Sequence, residues 1–168
     1  MKHLIGTLAV ALYFAGAPAS AQVVVKPLTA EETAKIKADV IAAAHQYLVY
    51  FSNADAKSVA EKSYGRMSVA VGPNGIRGDD TAAVTESFGN SFTNLKKIGW
   101  AKSMFIDPTV CVLSPTVAFL SGNYNRYDKD NKVIAQLNET LVYLRDTDGW
   151  KIVGNYPMPL GKTVACND

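Results

Sequence analysis

The clearest hydrophobic pattern at the start of the chain lies between residues 28 and 52. Its apolar residues recur at steps of three or four, the spacing of one face of an α-helix. They are Ile36, Val40, Ala44, Tyr47 and Phe51. Thr29 is followed three residues later by Glu32, the spacing of a capping box at a helix start. The pattern therefore predicts a long amphipathic helix that buries this stripe.

Two shorter helices follow in the pattern. Asn53 or Asp55 is predicted to cap a helix that continues to about Tyr64, and Asp79 to cap another that ends at Gly99. Asp and Asn are favoured at helix starts because their side-chain oxygen accepts a hydrogen bond from the first turn. Glycine ends helices because it adopts the left-handed conformation without strain.

The remaining pattern is that of β-strands. A short strand is predicted over 67–71, and from residue 100 onward Val, Ile, Tyr and Phe dominate, with turns between the runs. These runs predict strands over 100–113, 117–127, 133–145 and 150–156, the first of them broken near Asp107. Helices followed by a strand meander predict an α+β fold. We expect a bent antiparallel sheet wrapped around three N-terminal helices as a cone-shaped barrel, with a cavity at its open end.

The first 21 residues have the pattern of an export signal. Lys2 precedes an apolar run that ends at Ala-Ser-Ala, a small-residue cleavage pattern. We therefore expect residues 22–168 to form one domain in the periplasm or outside the cell, with no membrane insertion after cleavage. The alternative is an N-terminal helix that is buried or stays as an anchor.

Charge and composition narrow the possible partners. The chain has 17 basic and 15 acidic residues, and no basic cluster is interleaved with aromatic residues, which argues against nucleic-acid binding. His45 is the only histidine beyond the predicted signal, so a zinc site with several histidines is excluded. We expect neither a metal nor a cofactor.

Cys111 and Cys166 are the two cysteines of the chain. In an oxidising compartment they could form a disulfide that fastens the C-terminal tail to a strand. They could equally be two unpaired thiols, with Cys111 a small buried apolar residue. Their spacing lacks the Cys-x-x-Cys pattern of redox and metal sites.

Several short motifs along the chain resemble those of the nuclear transport factor 2-like superfamily, in particular its SnoaL-like and ketosteroid-isomerase-like branches. They are Asn53-Ala54-Asp55, Gly78-Asp79-Asp80, Gly122-Asn123-Tyr124, Asn138-Glu139-Thr140 and Asp148-Gly149-Trp150-Lys151-Ile152-Val153. The resemblance implies a conical α+β domain, often a homodimer through the outer sheet face. It implies no single function, since the family holds enzymes, binding proteins and assembly modules.

The catalytic residues of ketosteroid isomerases are not matched here. Their general-base aspartate would lie in the strand over 67–72, which has no acid, and their helix tyrosine would fall near Leu48, beside Tyr47. Any catalytic role is therefore left to Glu139 or Asp107 as candidates.

Strand alternation predicts which side chains share a face. If Trp150 and Ile152 point inward, so does Tyr156, and so do Tyr143 and Glu139 across the hairpin. Phe119, Ser121 and Asn123 would share that side. The predicted pocket consists of Tyr47, Phe51, Phe119, Ser121, Asn123, Tyr143, Trp150 and Tyr156. The alternative places Glu139 in a salt bridge on the outer sheet surface.

Three functions fit these observations. The first is a binding domain for a small apolar molecule. The second is a proton-transfer enzyme (an isomerase, cyclase or dehydratase) with a carboxylate base and Tyr47 or Tyr143 as donor. The third is a homo-oligomeric structural module whose cavity is filled by its own aromatic residues.

Overall fold

The computed structural model of the protein describes residues 27–72 and 75–166. The predicted export signal over 1–21 lies outside the described residues. Within them the helices are α1 (Ala30–Ser52), α2 (Ala56–Ser58) and α3 (Thr81–Lys97), and a π-helical turn over Val59–Ser63 continues α2. None of these helices is both long and apolar enough to cross a membrane.

The six strands form one sheet. They are β1 (Tyr64–Gly72), β2 (Gly75–Asp80), β3 (Trp100–Ser114), β4 (Val117–Asp128), β5 (Val133–Asp146) and β6 (Gly149–Pro157), in the order β2-β1-β6-β5-β4-β3. Neighbouring strands are antiparallel except β1 and β6, which run parallel. The predicted α+β fold is confirmed. The sheet is mixed, however, and β2 and β3 remain open edges instead of closing a barrel.

The predicted starts of the first two helices are confirmed. Thr29 Oγ1 accepts a hydrogen bond from the Glu32 amide at 3.1 Å, and Glu32 Oε2 accepts one from the Thr29 amide at 2.8 Å, which completes the capping box. Asp55, the second of the two residues considered, caps α2 by accepting from the Ser58 amide at 2.9 Å.

The predicted cap of α3 is wrong by one residue. Asp80 caps the helix by accepting from the Ala83 amide at 2.9 Å, whereas Asp79 is buried within β2 opposite Ser68. The cause is the strand β2, which was not predicted because its sequence, Gly-Ile-Arg-Gly-Asp-Asp, lacks the apolar alternation of a strand.

The hydrophobic core lies between the helices and one face of the sheet, which we call the inner face. Phe51 of α1 contacts the rings of Phe92 and Trp100 edge-on, with centroids 5.0 and 5.4 Å away, while Trp100 stacks on Phe92 at 5.9 Å. Edge-on and stacked pairs are the favourable arrangements of aromatic rings. Leu120, Leu141 and Ile152 of the sheet are completely buried beneath this cluster.

Two β-bulges decide which side chains reach the inner face. Ile134 is an extra residue in β5, because Arg126 pairs with Ala135 and Tyr127 with Val133. Val153 is an extra residue in β6, because Val142 pairs with Gly154 and Tyr143 with Ile152. Since side chains alternate along a strand, one extra residue reverses the facing of all that follow.

The bulges overturn part of the predicted facing. The strand pairing places Ala118 and Leu120 beside Tyr143 and Leu141 on the inner face, so Phe119, Ser121 and Asn123 lie on the opposite, outer face. Tyr156 also lies on the outer face, where its ring covers Gly154. These four predictions of inward facing were wrong because the bulges cannot be seen in the hydrophobic pattern.

The C-terminal tail, residues 158–166, crosses the outer face. A disulfide joins Cys166 to Cys111 of β3. Asn138 Nδ2 donates to the backbone oxygens of Pro159 and Lys162, the former at 3.0 Å. Ser121 Oγ accepts from the Val164 amide at 3.2 Å. The tail therefore covers polar side chains of the outer face and supplies them with backbone partners.

Candidate functional site

A carboxyl group lies buried on the inner face. Glu139 of β5 is 7% exposed and faces Gly122 of β4 and Pro157 of β6. A side chain at Gly122 would be crowded, because an added Cβ would lie 3.0 Å from the Pro108 Cα. Of the two placements considered for Glu139, the structure has the inward one.

Burial raises the pKa of Glu139 to about 7, because the charged form loses its hydration. A hydrogen bond from Asn155 and the positive charge of Arg126 favour the ionised form but offset only part of this effect. At neutral pH the carboxyl group is therefore present in both protonation states, which suits a group that accepts and returns a proton.

Four tyrosines surround Glu139: Tyr47, Tyr64, Tyr124 and Tyr143. Burial raises the pKa of each, and the charge of Glu139 raises it further. Hydrogen bonds link Tyr47 to Tyr64 and Tyr64 to Asn155. The Tyr143 hydroxyl finds no hydrogen-bond partner among the described residues. We call Glu139, Asn155 and these tyrosines the tyrosine–glutamate cluster.

A pocket of about 670 Å³ opens beside this cluster, between β1, β2, β6 and α3. Tyr64 and Asn155 belong both to the cluster and to the pocket wall. The wall is otherwise formed by Ser68, Ala70, Val71, Gly75, Ile76, Arg77, Asp79, Val84, Ser87, Phe88, Ser91 and Pro157. Apolar and polar groups thus share the lining, and Glu139 lies behind Asn155.

An ion pair stands at the β2 side of this pocket. Arg77 Nε donates to both carboxylate oxygens of Asp79, at 2.6 and 2.8 Å. The side chain of Asp79 is 5% exposed and that of Arg77 is 60% exposed. Arg77 Nη2 lies 3.4 Å from Ser87 Oγ of α3. The buried carboxylate therefore fixes an exposed guanidinium group at the pocket wall.

Comparison with models of protein families identifies a family with this architecture. The family model described as NTF2-like protein (DUF6841) matches residues 37–159, most of the chain. The protein belongs to this NTF2-like family. Comparison with curated proteins gives no match.

Solved structures share the fold of this NTF2-like domain. One from Xanthomonas campestris, provisionally assigned as a calcium/calmodulin-dependent protein kinase II association domain, has 20% identity and a TM-score of 0.57, and the match covers 73% of this chain and 86% of that one. An NTF2-like superfamily protein from Salmonella enterica has 16% identity and a TM-score of 0.58, over 81% and 99%. A provisionally assigned dehydratase from Streptomyces avermitilis has 14% identity and a TM-score of 0.60, over 77% and 99%. These identities establish a shared fold and no shared function.

The structure brings together only part of the predicted site of this NTF2-like domain. None of the eight predicted pocket residues lines the pocket described above. Tyr47 and Tyr143 lie in the tyrosine–glutamate cluster beside it, and Phe51 and Trp150 are buried in the core. The second candidate acid, Asp107, is exposed at the irregularity in β3, with a φ of 44°, and is not part of the cluster. In the described part of the chain, no group of three or more His, Cys, Asp or Glu side chains could hold a metal ion.

Sequence reasoning missed Asn155, Arg77 and Asp79 as site residues, whereas Tyr64 belongs to the tyrosines that the sequence offers as a cavity lining. Asn155 reaches the inner face through the bulge at Val153, which carries no signal in the sequence. Arg77 and Asp79 lie on the unpredicted strand β2. An isolated charged pair two residues apart, on one side of a strand, is the one pattern that could have found them.

Proposed function

We propose that this NTF2-like domain binds a small molecule in the pocket between β1, β2, β6 and α3, with Tyr64 and Asn155 as contacts. The observation that carries this proposal is that both residues line the pocket and that Asn155 connects it to the buried carboxyl group, since its side chain is hydrogen-bonded to Glu139 and to Tyr64. A volume of about 670 Å³ lies within the range of ligand pockets in proteins. The apolar lining supports an apolar ligand body, and the serines and Asn155 support a ligand with a few polar groups.

Binding is tested by filling the pocket. Ser91 is exposed on α3 and lines the pocket, whereas Thr93 is exposed on the same helix outside the lining. A fragment library is screened by amide NMR against the wild type, Ser91→Trp and Thr93→Trp. We expect shifts of pocket amides in the wild type and in Thr93→Trp and their loss in Ser91→Trp. Fragments that bind all three proteins alike, or shift no pocket amide, would contradict the proposal.

A second candidate function is proton transfer by Glu139. Its support is a buried carboxyl group of pKa about 7 among tyrosines, together with the fold shared with a provisionally assigned dehydratase. Because Glu139 lies behind Asn155 and outside the pocket lining, this scheme requires the Asn155 side chain to turn aside and admit the ligand. The Glu139 carboxylate then takes a proton from a carbon next to a carbonyl group of the ligand and returns it to the same or a neighbouring atom. The Tyr64 hydroxyl at the pocket wall donates a hydrogen bond to the oxygen that becomes negative.

Deuterium exchange tests this scheme without knowledge of the product. A bound ketone fragment is incubated with the protein in D₂O and its deuterium content is followed by mass spectrometry. We expect the wild type to accelerate exchange and Glu139→Gln to lose the acceleration while still binding the fragment. Equal exchange with both proteins would leave a binding domain without proton transfer.

We further infer that the protein is exported and forms a homodimer. The pattern over 1–21 and the Cys111–Cys166 disulfide support export, because disulfides persist in oxidising compartments. The family resemblance supports the dimer. Cell fractionation and light scattering of the purified domain test the two statements separately: cytoplasmic protein would contradict export, and a monomer mass would contradict the dimer.

A further inference from the structure

The two charged side chains of the pocket wall lie at different depths: the arginine is exposed to the solvent and the aspartate is buried. Arg77 and Asp79 are the charged residues of the lining. Because the side chain of Asp79 is buried and that of Arg77 is largely exposed, an incoming molecule meets the guanidinium group first. The pair is electrically neutral as a whole, yet its positive end points toward the open side.

The geometry of the pair leaves most of the fork of Arg77 available: Ser87 Oγ accepts one long hydrogen bond from Nη2 at 3.4 Å, and three terminal N–H groups remain. The two carboxylate oxygens of Asp79 are both bound through Nε. A guanidinium group carries its four other N–H groups on the two terminal nitrogens, which can bind a planar carboxylate with two parallel hydrogen bonds. Asp79 fixes the orientation of this fork, so little side-chain freedom is lost when a carboxylate binds.

Next to this fork lies an apolar surface. Ile76, Val84 and Phe88 line the pocket together with Arg77, and Tyr64 and Asn155 complete the same wall. We propose that the pocket selects small carboxylic acids with an apolar body, with Arg77 as the anion-binding residue and Asp79 as its positioning residue. This selectivity rests on the proposed binding function of the same pocket.

The test uses aryl- and alkyl-carboxylates together with their amides, for example 3-phenylpropanoate and 3-phenylpropanamide, so that each pair differs only in charge. Dissociation constants are measured by calorimetry for the wild type and for Arg77→Gln. We expect the wild type to bind the acids about tenfold more tightly than the amides, as one charge-assisted interaction gives. Arg77→Gln should lose this difference and bind the amides as before. Arg145→Gln, an exposed arginine outside the lining, should keep it.

Loss of Arg77 leaves the buried Asp79 carboxylate without its partner, which could destabilise the fold. A second variant therefore combines Arg77→Gln with Asp79→Asn, so that no unpaired charge remains buried. It should show the same loss of acid preference. Acids and amides that bind the wild type equally, or a preference that survives in both variants, would overturn the anion selectivity alone. If neither acids nor amides bind in the pocket, the proposed binding function fails as well.

Discussion

The buried polar side chains on the two faces of β5 differ in their hydrogen bonding. On the outer face, Thr140 Oγ1 donates to Ser121 Oγ at 2.9 Å, and the amide group of Asn138 donates to two carbonyl oxygens of the tail. On the inner face, Glu139 is held among tyrosines at a raised pKa, and the Tyr143 hydroxyl has no partner among the described residues.

The polar side chains of the outer face thus have a structural role, whereas those of the inner face are the candidates for a functional one. Buried polar groups that are paired contribute to stability, whereas unpaired or strongly shifted ones reduce it and are retained where chemistry needs them. Asn138, Glu139 and Thr140 are consecutive, so alternation along one strand puts the two kinds of group side by side. Within the outer group, the Asn138 Oδ1 atom alone lacks a partner in the described structure. The inner group is the one to examine for activity.

The largest expected effect concerns the outer face. Replacing Cys111 and Cys166 by alanine opens a covalent loop with a sequence separation of 55. We expect a loss of about 4 kcal/mol in the free energy of unfolding, from the increased entropy of the unfolded chain. Denaturant unfolding of the oxidised wild type and of the double variant measures this loss. An unchanged midpoint would mean that the tail does not hold the outer face.

The second effect concerns the inner face and depends on pH. The pKa of Glu139 is about 7 in the folded protein, above its ordinary value of 4.5, so the folded state holds its proton more tightly. Stability contributed by this group is complete below the ordinary value and is lost as the pH rises to about 7, by about 3 kcal/mol.

Glu139→Gln removes this dependence. Above pH 7 the variant should be more stable than the wild type, and the two should differ least near pH 4, as measured by urea unfolding across the pH range. Asp107→Asn, at the exposed candidate acid, serves as the control and should leave the pH profile unchanged. A wild-type profile that is flat between pH 4 and 7 would refute the raised pKa.

A smaller effect is expected from Asn138 on the outer face. Asn138→Ala leaves two carbonyl oxygens of the tail without their donor, at a cost of about 2 kcal/mol, because each lost hydrogen bond costs about 1 kcal/mol. Hydrogen exchange of the Val164 amide should accelerate at the same time. Asn94→Ala, on an exposed part of α3, is the control. Full protection of the tail in Asn138→Ala would show that the disulfide suffices.

The smallest effect has the opposite sign. Tyr143→Phe removes a buried hydroxyl that lacks a partner among the described residues, and it should raise the free energy of unfolding by about 1 kcal/mol. Thr140→Val, which removes a paired hydroxyl from the outer face, should lower it by a similar amount. Thermal unfolding of both variants gives the comparison directly. Destabilisation by Tyr143→Phe would mean that the hydroxyl has a partner that the described contacts do not reveal.

The helices and the long strands could be predicted from the sequence because each has a strong local signal. The stripe of α1 repeats every three or four residues, and its capping box joins residues three apart. The turns between the last four strands are likewise determined by residues close together in the chain. The strand β2 was not predicted, because it is stabilised by pairing with β1 and not by an apolar face of its own.

The site could be predicted only in part, for a different physical reason. Alternation across the hairpin that joins β5 to β6 correctly placed Glu139 and Tyr143 on one face, but the sequence left open whether that face is the inner or the outer one. Phe119, Ser121, Asn123 and Tyr156 were misplaced because a bulge is set by tertiary packing and has no fixed sequence pattern. Alternation therefore predicts the facing of side chains correctly along a stretch without a bulge, and predicts the opposite face once a bulge has been passed.

The bulge at Val153 also has an evolutionary consequence. Asn155 reaches the pocket wall only because Val153 adds one residue to β6. If β6 paired without the bulge while keeping all its residues, Asn155 would turn outward and Tyr156 inward, so that a phenol would replace an amide beside Glu139 without any substitution at the site. Deletion of Val153 itself would remove the bulge and leave both side chains on their present faces. Related chains of the same length could therefore exchange the chemistry of this wall through strand pairing alone, and an alignment without gaps would then compare residues that face opposite sides of the sheet.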